Sequence, residues 1–208
     1  MPVITITQLK AHLGLTDSVD DATLTVAVNA ANAAIVAYCG RSFDKTNRGE
    51  ETTRLFEVCD PYVVDVDDIW DTTNLAVKTD SGGEGVYDVT WGSADYQLEP
   101  LNGLVTGISV PFYRLRAVLG RTFPVLGGSH RPALQLTAAW GWASVPDMVT
   151  DAALIKAARL FKRKDSPEGV LGGYADTGAV RISQYEDPDV CSLLAPYRKG
   201  TVAMPIGR

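Results

Sequence analysis

The sequence predicts an α+β protein in which a helical body is interrupted by an inserted antiparallel β domain of sandwich or barrel type. Three observations lead there. Residues 5 to 40 carry helix caps around apolar runs; Thr52 to Trp142 breaks into short β-like segments separated by turn residues; and Trp140-Gly-Trp-Ala-Ser-Val-Pro-Asp147 switches from strand to helical periodicity within a few positions. On this reading residues 1–50 and 143–196 form a discontinuous helical body, 51–142 the inserted β domain, and 197–208 a C-terminal arm.

Thr5 and Gln8 have capping-box spacing and predict a short helix through Leu13, ended by Gly14. Ser18-Val-Asp-Asp21 repeats that logic and opens a longer helix to Cys39, with Gly40 where a left-handed residue is wanted. This second helix holds Ala22, Ala27, Ala30, Ala31, Ala33, Ala34 and Ala37, so small apolar residues surround much of it. Burial inside its own domain is one reading; Ala27, Ala30, Ala31 and Ala34 packing against a neighbouring subunit is the other.

Arg54–Val58, Leu75–Lys78, Tyr87–Trp91, Leu115–Leu119 and Pro132–Trp140 read as strands, and Asp80-Ser-Gly-Gly-Glu-Gly85 as a hairpin loop. Ser144 and Asp147 suggest a second capping box, with Pro146 in the first turn. Leu154, Ala157, Ala158 and Phe161 then set an apolar helical stripe. A Gly-rich loop (Gly169, Gly172, Gly173), a strand Ala179–Ser183 and a short helix from Asp187 to Leu194 follow, closed by Pro196. The tail from Tyr197 lacks periodicity and is expected to order only on a partner.

With 208 residues, 46% of them hydrophobic, the chain can bury a substantial core. A formal charge of −6 argues against broad nucleic-acid binding, which depends on Lys and Arg at phosphates. The N-terminus lacks a secretory pattern and no stretch reads as a membrane span, so cytoplasmic synthesis is the expectation. Cys39, Cys59 and Cys191 are odd in number and unpaired in spacing, which indicates small buried hydrophobes, with neither disulfides nor zinc.

No catalytic constellation emerges. His12 and His130 stand apart from any nucleophile, and Gly127-Gly-Ser-His130 lacks the second glycine of a nucleophile elbow, so it reads as a turn. Asp65, Asp67, Asp68 and Asp71 crowd one segment, but Trp70 and Ala76 occupy the glycine and glutamate positions of a calcium loop. A solvated acidic loop without metal is expected. Lys156, Arg159 and Arg163 share a helix face, either complementing the helix dipole or docking an acidic partner or phosphate backbone. Trp70, Trp91, Trp140 and Trp142 read as core, with a carbohydrate platform as the competing reading.

Taken together these segments resemble the head-tail connector, or adaptor, proteins of long-tailed bacteriophages, in the larger form of actinobacteriophages. The resemblance rests mainly on the second half: Gln135 to Asp147, Ala153 to Arg163, Asp165-Ser-Pro-Glu-Gly169, Gly178 to Ser183, and Asp187 to Arg198. Ile4 to Leu13 and the helix to Gly40 are similar to the family's opening hairpin. Since compact members are mostly helical, the β region looks like an elaboration.

The resemblance implies a structural, non-enzymatic virion protein without cofactor. It would form a ring, commonly of twelve copies, between the portal and the next neck or tail protein, with double-stranded DNA passing through its centre unbound. Twelve copies would carry about −72, a field that repels phosphates in transit. Tyr197, Arg198 and Lys199 would anchor an arm onto the portal or an adjacent subunit. The alternatives are a ligand- or carbohydrate-binding β domain on a helical support, another neck or tail structural protein, and an enzyme of unrecognised type.

Overall fold

The computed structural model describes residues 2–105, 107–126, 131–165, 170–171, 180–181 and 187–199. The chain divides into two compact units, Met1–Arg41 with Val145–Arg208, and Ser42–Ser144. The α+β class is as predicted. Residues 42–50, assigned from sequence to the helical body, fall in the β unit.

In the helical unit, α1 (Ile6–Leu13) starts with the expected box: Thr5 N–H donates to Gln8 Oε1 at 2.8 Å and Gln8 N–H to Thr5 Oγ1 at 3.4 Å. Gly14, at φ +71°, ends it. α2 (Asp21–Cys39) ends at Gly40 as predicted, but its start differs. Ser18 does not cap it; Asp20 holds the cap position without a side-chain bond to the helix, because its carboxylate accepts from Lys164 Nζ at 2.6 Å. An ammonium outcompetes a backbone N–H for that oxygen.

α3 (Asp147–Lys162) also starts differently, with Pro146 at its cap and no Ser144 box. The Pro146 carbonyl accepts from both Val149 and Thr150, each at 3.0 Å. Val149, Ala152, Ala153, Ala157, Ala158 and Phe161 are buried, facing Leu24, Val28 and Ile35 of α2. α4 (Pro188–Leu194) is capped by Asp187, which accepts from Asp189 N–H at 3.1 Å, and buries Val190 and Leu194. Asn32 fastens the chain start, its amide donating to Ile4 O and accepting from Ile4 N–H, both at 3.0 Å. Two-residue strands β9 (Val170–Leu171) and β10 (Val180–Arg181) pair antiparallel, so part of the expected Ala179–Ser183 strand is present. The Gly169, Gly172 and Gly173 loop and the Gly127–His130 turn lie outside the described residues.

The β unit holds β1 (Thr52–Phe56), β2 (Val63–Thr79), β3 (Val89–Trp91), β4 (Tyr96–Glu99), β5 (Leu104–Val105), β6 (Ile108–Ser109), β7 (Phe112–Ala117) and β8 (Leu134–Trp140). Six of these make one antiparallel sheet in the order β1-β8-β2-β7-β4, with β3 also on β2; β5 and β6 form a separate hairpin. The antiparallel β domain expected from the sequence, of sandwich or barrel-like type, is centred on one sheet. Its strand β2, at 17 residues, is long enough to serve β8 along one edge and both β7 and β3 along the other. Register shifts after Asp65, Ile69 and Asp71 let it bend around its own core. Val64, Val66, Ile69, Val77, Leu115, Leu134, Leu136 and Trp140 fill that core, with Trp91 stacked on Phe123 at 4.4 Å.

The acidic segment expected as a solvated loop is the middle of β2. Alternation sends Val64 and Val66 inward and Asp65 and Asp67 outward, where Arg114 and Arg54 meet them at 2.5 and 2.7 Å. Asp71 accepts from Thr73 Oγ1 at 2.6 Å and Thr73 N–H at 2.8 Å, and pairs with Arg48. These bonds, led by the Thr73 hydroxyl, hold its carboxyl at about 2, below the ordinary 3.8. The Asp80 loop joins β2 to β3 as predicted: its carboxylate accepts from the N–H groups of Gly82, Gly83 and Gly85 at 3.0, 2.8 and 2.6 Å. These bonds outweigh burial and keep its pKa depressed.

Gly141 sits at φ +100°, and a Cβ there would lie 1.5 Å from the carbonyl oxygen of Asp44. Around it, Thr46 N–H donates to Trp140 O at 2.9 Å, Trp142 N–H to Asp44 O at 3.2 Å, and Gly141 N–H to Asp68 O at 2.7 Å. Glycine is therefore required twice, for the backbone angle and for the space. The Gly141→Ala variant should lose about 3 kcal/mol or more of stability in urea unfolding, or fail to fold.

Asp71 adds a pH test. A carboxyl with a depressed folded pKa contributes its full stability above about pH 4 and loses it as pH falls through about 2. Asp71→Asn should lower the urea midpoint near neutral pH, and its gap to the wild type should narrow as pH is taken toward 2. A gap independent of pH would contradict this.

Candidate interaction surfaces

The candidate surfaces are built on α2, α3 and the segment after α4. Of the alanines proposed for subunit packing, Ala27 and Ala31 are buried, alongside Leu24, Val28 and Ile35. Ala34 is half-buried and Ala30 exposed. The outward face of α2 is a neighbouring one: Ala22, Val26, Ala30, Ala33 and Ala37 recur at helical spacing and are all exposed, Val26 at 69%. α2 carries no charged residue after Asp21 and is, by length and composition, long and apolar enough to cross a bilayer, which the sequence reading had not credited to any stretch. Its Leu24, Val28 and Ile35 side packs in the helical unit, so it is a core helix with an apolar outer face.

One residue of the basic face of α3 is engaged within the helical unit. Arg159 pairs with Asp187, the α4 cap, and reaches Asp189 at 3.6 Å. Lys156 is half-buried, Lys164 is held by Asp20, and Arg163 is exposed. The charges thus tie α3 to its neighbours within the helical unit instead of presenting one continuous docking strip.

Tyr197, expected as the anchor of a free arm, is only 4% exposed. Burial pushes its phenol upward in pKa, with a smaller contribution from Asp147. The Arg198 guanidinium lies 5.1 Å from the Tyr38 ring centre, and Lys199 N–H donates to Cys39 O at 2.8 Å, satisfying a carbonyl at the end of α2. These residues are part of the helical unit because an aromatic ring can bury its face while the following backbone closes a helix end. Thr201 to Arg208 lie outside the described residues.

The tryptophans form no ligand platform. Trp91 is buried and donates to Thr79 Oγ1 at 2.9 Å; Trp140 donates to Thr52 O at 2.8 Å and Trp142 to the buried Asp68 at 3.0 Å. Trp70 is half-buried, donates to Thr46 O at 2.8 Å, and has Lys45 Nζ 4.2 Å from its ring centre. Cys39 is buried, which raises its thiol to about 11; Cys59 is exposed and Cys191 half-buried, so only one of the three fits the buried reading fully. Among the described residues no three His, Cys, Asp or Glu side chains stand together as metal ligands would. His12 is exposed near the end of α1, and His130 lies outside the described residues.

Known proteins give these surfaces a context. Residues 3–80 match the family described as Phage gp6-like head-tail connector protein. The chain is similar in fold to a protein in the neck of an empty GTA particle computed with C6 symmetry, with 16% identity and TM-score 0.52 over 96% of this chain and 91% of that one. It is similarly related to a chain in the neck of a native GTA particle computed with C12 symmetry (18% identity, TM-score 0.51, 95% and 89% covered). A third likeness is to the virion of a native gene transfer agent (GTA) particle, with 19% identity, TM-score 0.51 and 96% and 91% covered. No curated protein matches in sequence.

The expected resemblance to head-tail connectors is borne out over residues 3–80, which match that family's model, and nearly the whole chain shares its fold with chains in the GTA necks. The match does not fall on the 135–198 run that carried most of the resemblance. It runs from before α1 to the end of β2, so the first two strands lie inside the family pattern and are not an elaboration beyond it.

Because Tyr197 is core, Tyr197→Ala should destabilise the helical unit by about 3 kcal/mol, read from thermal or urea unfolding. A variant as stable as the wild type would restore Tyr197 to a free arm.

Proposed function

We propose that the protein is a structural head-tail connector that forms a homo-oligomeric ring between the portal and the next neck or tail component of a phage or phage-like particle. One coincidence carries this reading: the family pattern over residues 3–80 and the neck-protein fold over almost the whole chain point to the same place in a virion. The neck particles bearing that fold were computed with sixfold and twelvefold symmetry, which suits a ring of copies. The protein works by geometry and contact, not by catalysis, and is made in the host cytoplasm before joining the particle.

In such a ring double-stranded DNA passes through the centre without specific binding. The charge of −6 per copy suits that role, since an acidic wall repels phosphates and keeps the genome mobile. The exposed apolar face of α2 gives the helical unit surface that a neighbouring protein can cover, and its small side chains permit close backbone approach.

Light scattering of the purified protein, with and without portal, tests this. A ring, or a monomer that assembles when portal is added, is expected. A stable monomer indifferent to portal would refute the connector reading.

A further inference from the structure

The β unit carries two apolar projections, one at each end of the ladder that pairs β4 with β7. At the Glu99–Arg114 end, the sequence from Pro100 to Tyr113 contains no charged residue, and β5 and β6 leave the six-stranded sheet as a hairpin of their own. Leu101 and Leu104 are 60% and 51% exposed on it, and Val105 and Ile108 are half-buried. A two-stranded hairpin is marginal in water, and a strand edge without charge invites another chain.

At the Tyr96–Ala117 end, Arg121 N–H donates to Val118 O at 3.0 Å across a turn whose central residues, Leu119 and Gly120, lie at φ +54° and +75°. Two left-handed positions make a type I′ turn, whose first central place favours Asn, Asp or Gly. Leucine strains that place, and core packing does not explain it, since Leu119 is 81% exposed. Tyr62, 58% exposed, is held beside the turn by its carbonyl, which accepts from Ala117 N–H at 2.8 Å. The charges nearby are used locally. Arg121 makes two bonds of 3.1 Å to Asp95, and Asp60 accepts from the N–H groups of Tyr62 and Val63 at 2.7 and 3.1 Å. A leucine that strains its own turn and buries little against its own chain points to a contact outside it.

We propose that the Leu101–Leu104 hairpin of one copy docks onto the Leu119–Tyr62 corner of the next copy. This contact rests on the ring reading and names the surfaces that close the ring. Subunits around a ring meet head to tail, so each must expose two different patches that complement one another. The β unit has such a pair, a projecting hairpin and a turn corner, at opposite ends of one ladder. A two-fold dimer would need only one patch that meets itself. A second copy covers both projections at once, which a single partner of another kind does not.

The test is a charge swap, read by light scattering under the condition, with or without portal, in which the wild type assembles. Leu104→Asp and Leu119→Lys alone should each weaken assembly about tenfold or more. The double variant should recover most of that loss, because every interface then sets an aspartate against a lysine. Leu119→Asn gives a second readout: asparagine suits the left-handed position, so the thermal midpoint should rise while assembly falls. Single variants that assemble like the wild type, a double variant no better than the singles, or a Leu119→Asn chain that assembles undiminished would each overturn the head-to-tail contact and leave the connector reading standing. A wild type that stays monomeric with portal overturns both.

Discussion

The β unit depends on the approach of the Asp44 carbonyl to Gly141. The contact leaves no room for a side chain, and it brings the segment from Phe43 to Thr46 against the end of β8. Each flanking tryptophan then adds a directional bond. Trp140 reaches Thr52 at the start of β1, and Trp142 reaches Asp68 in β2 while packing on Phe43 at 5.3 Å. Large rings supply the buried area and their single N–H groups fix direction, so three consecutive residues hold both a strand end and the chain that precedes β1.

Around that point, charge is used to order the sheet. Outward carboxylates on β2 and β4 face arginines from β1 and β7: Asp67 with Arg54, Asp65 with Arg114, and Glu99 with Arg116 at 2.6 Å. Each pair is partly exposed and contributes little net stability. Their value is in register, because a one-residue slip would turn each carboxylate inward and each apolar neighbour out. The same economy appears in the helical unit, where Arg159 and Lys164 of the α3 segment meet Asp187 and Asp20. Surface charge that looks available for partners in the sequence is largely consumed within each unit.

The exposed face of α2, by contrast, is apolar and small. α2 divides its circumference between a packed side of Leu24, Val28 and Ile35 and an open side of alanines and Val26. A helix of this kind can be approached closely by another polypeptide.

The sequence by itself determined the helices and those of their ends that are set locally: Thr5 with Gln8, Gly14, Gly40 and Asp187 act within a few residues. It also determined the α+β class and pointed to the resemblance to head-tail connectors that the family match over residues 3–80 supports. Tertiary structure alone decided matters that hang on distant partners. Ser18 and Ser144 do not cap as their spacing suggested: Asp20 takes the first cap position with its carboxylate on Lys164, and Pro146 sets the other helix start. The aspartates between 65 and 71 read as a loop because the arginines that make them strand residues lie far away in sequence. Tyr197 read as an arm because the chain around it is aperiodic, while its burial is decided by helices it meets only in space. The requirement for glycine in Trp140-Gly-Trp142 belongs to the same class, for the atom that excludes a side chain there comes from Asp44, nearly the whole β unit away along the chain.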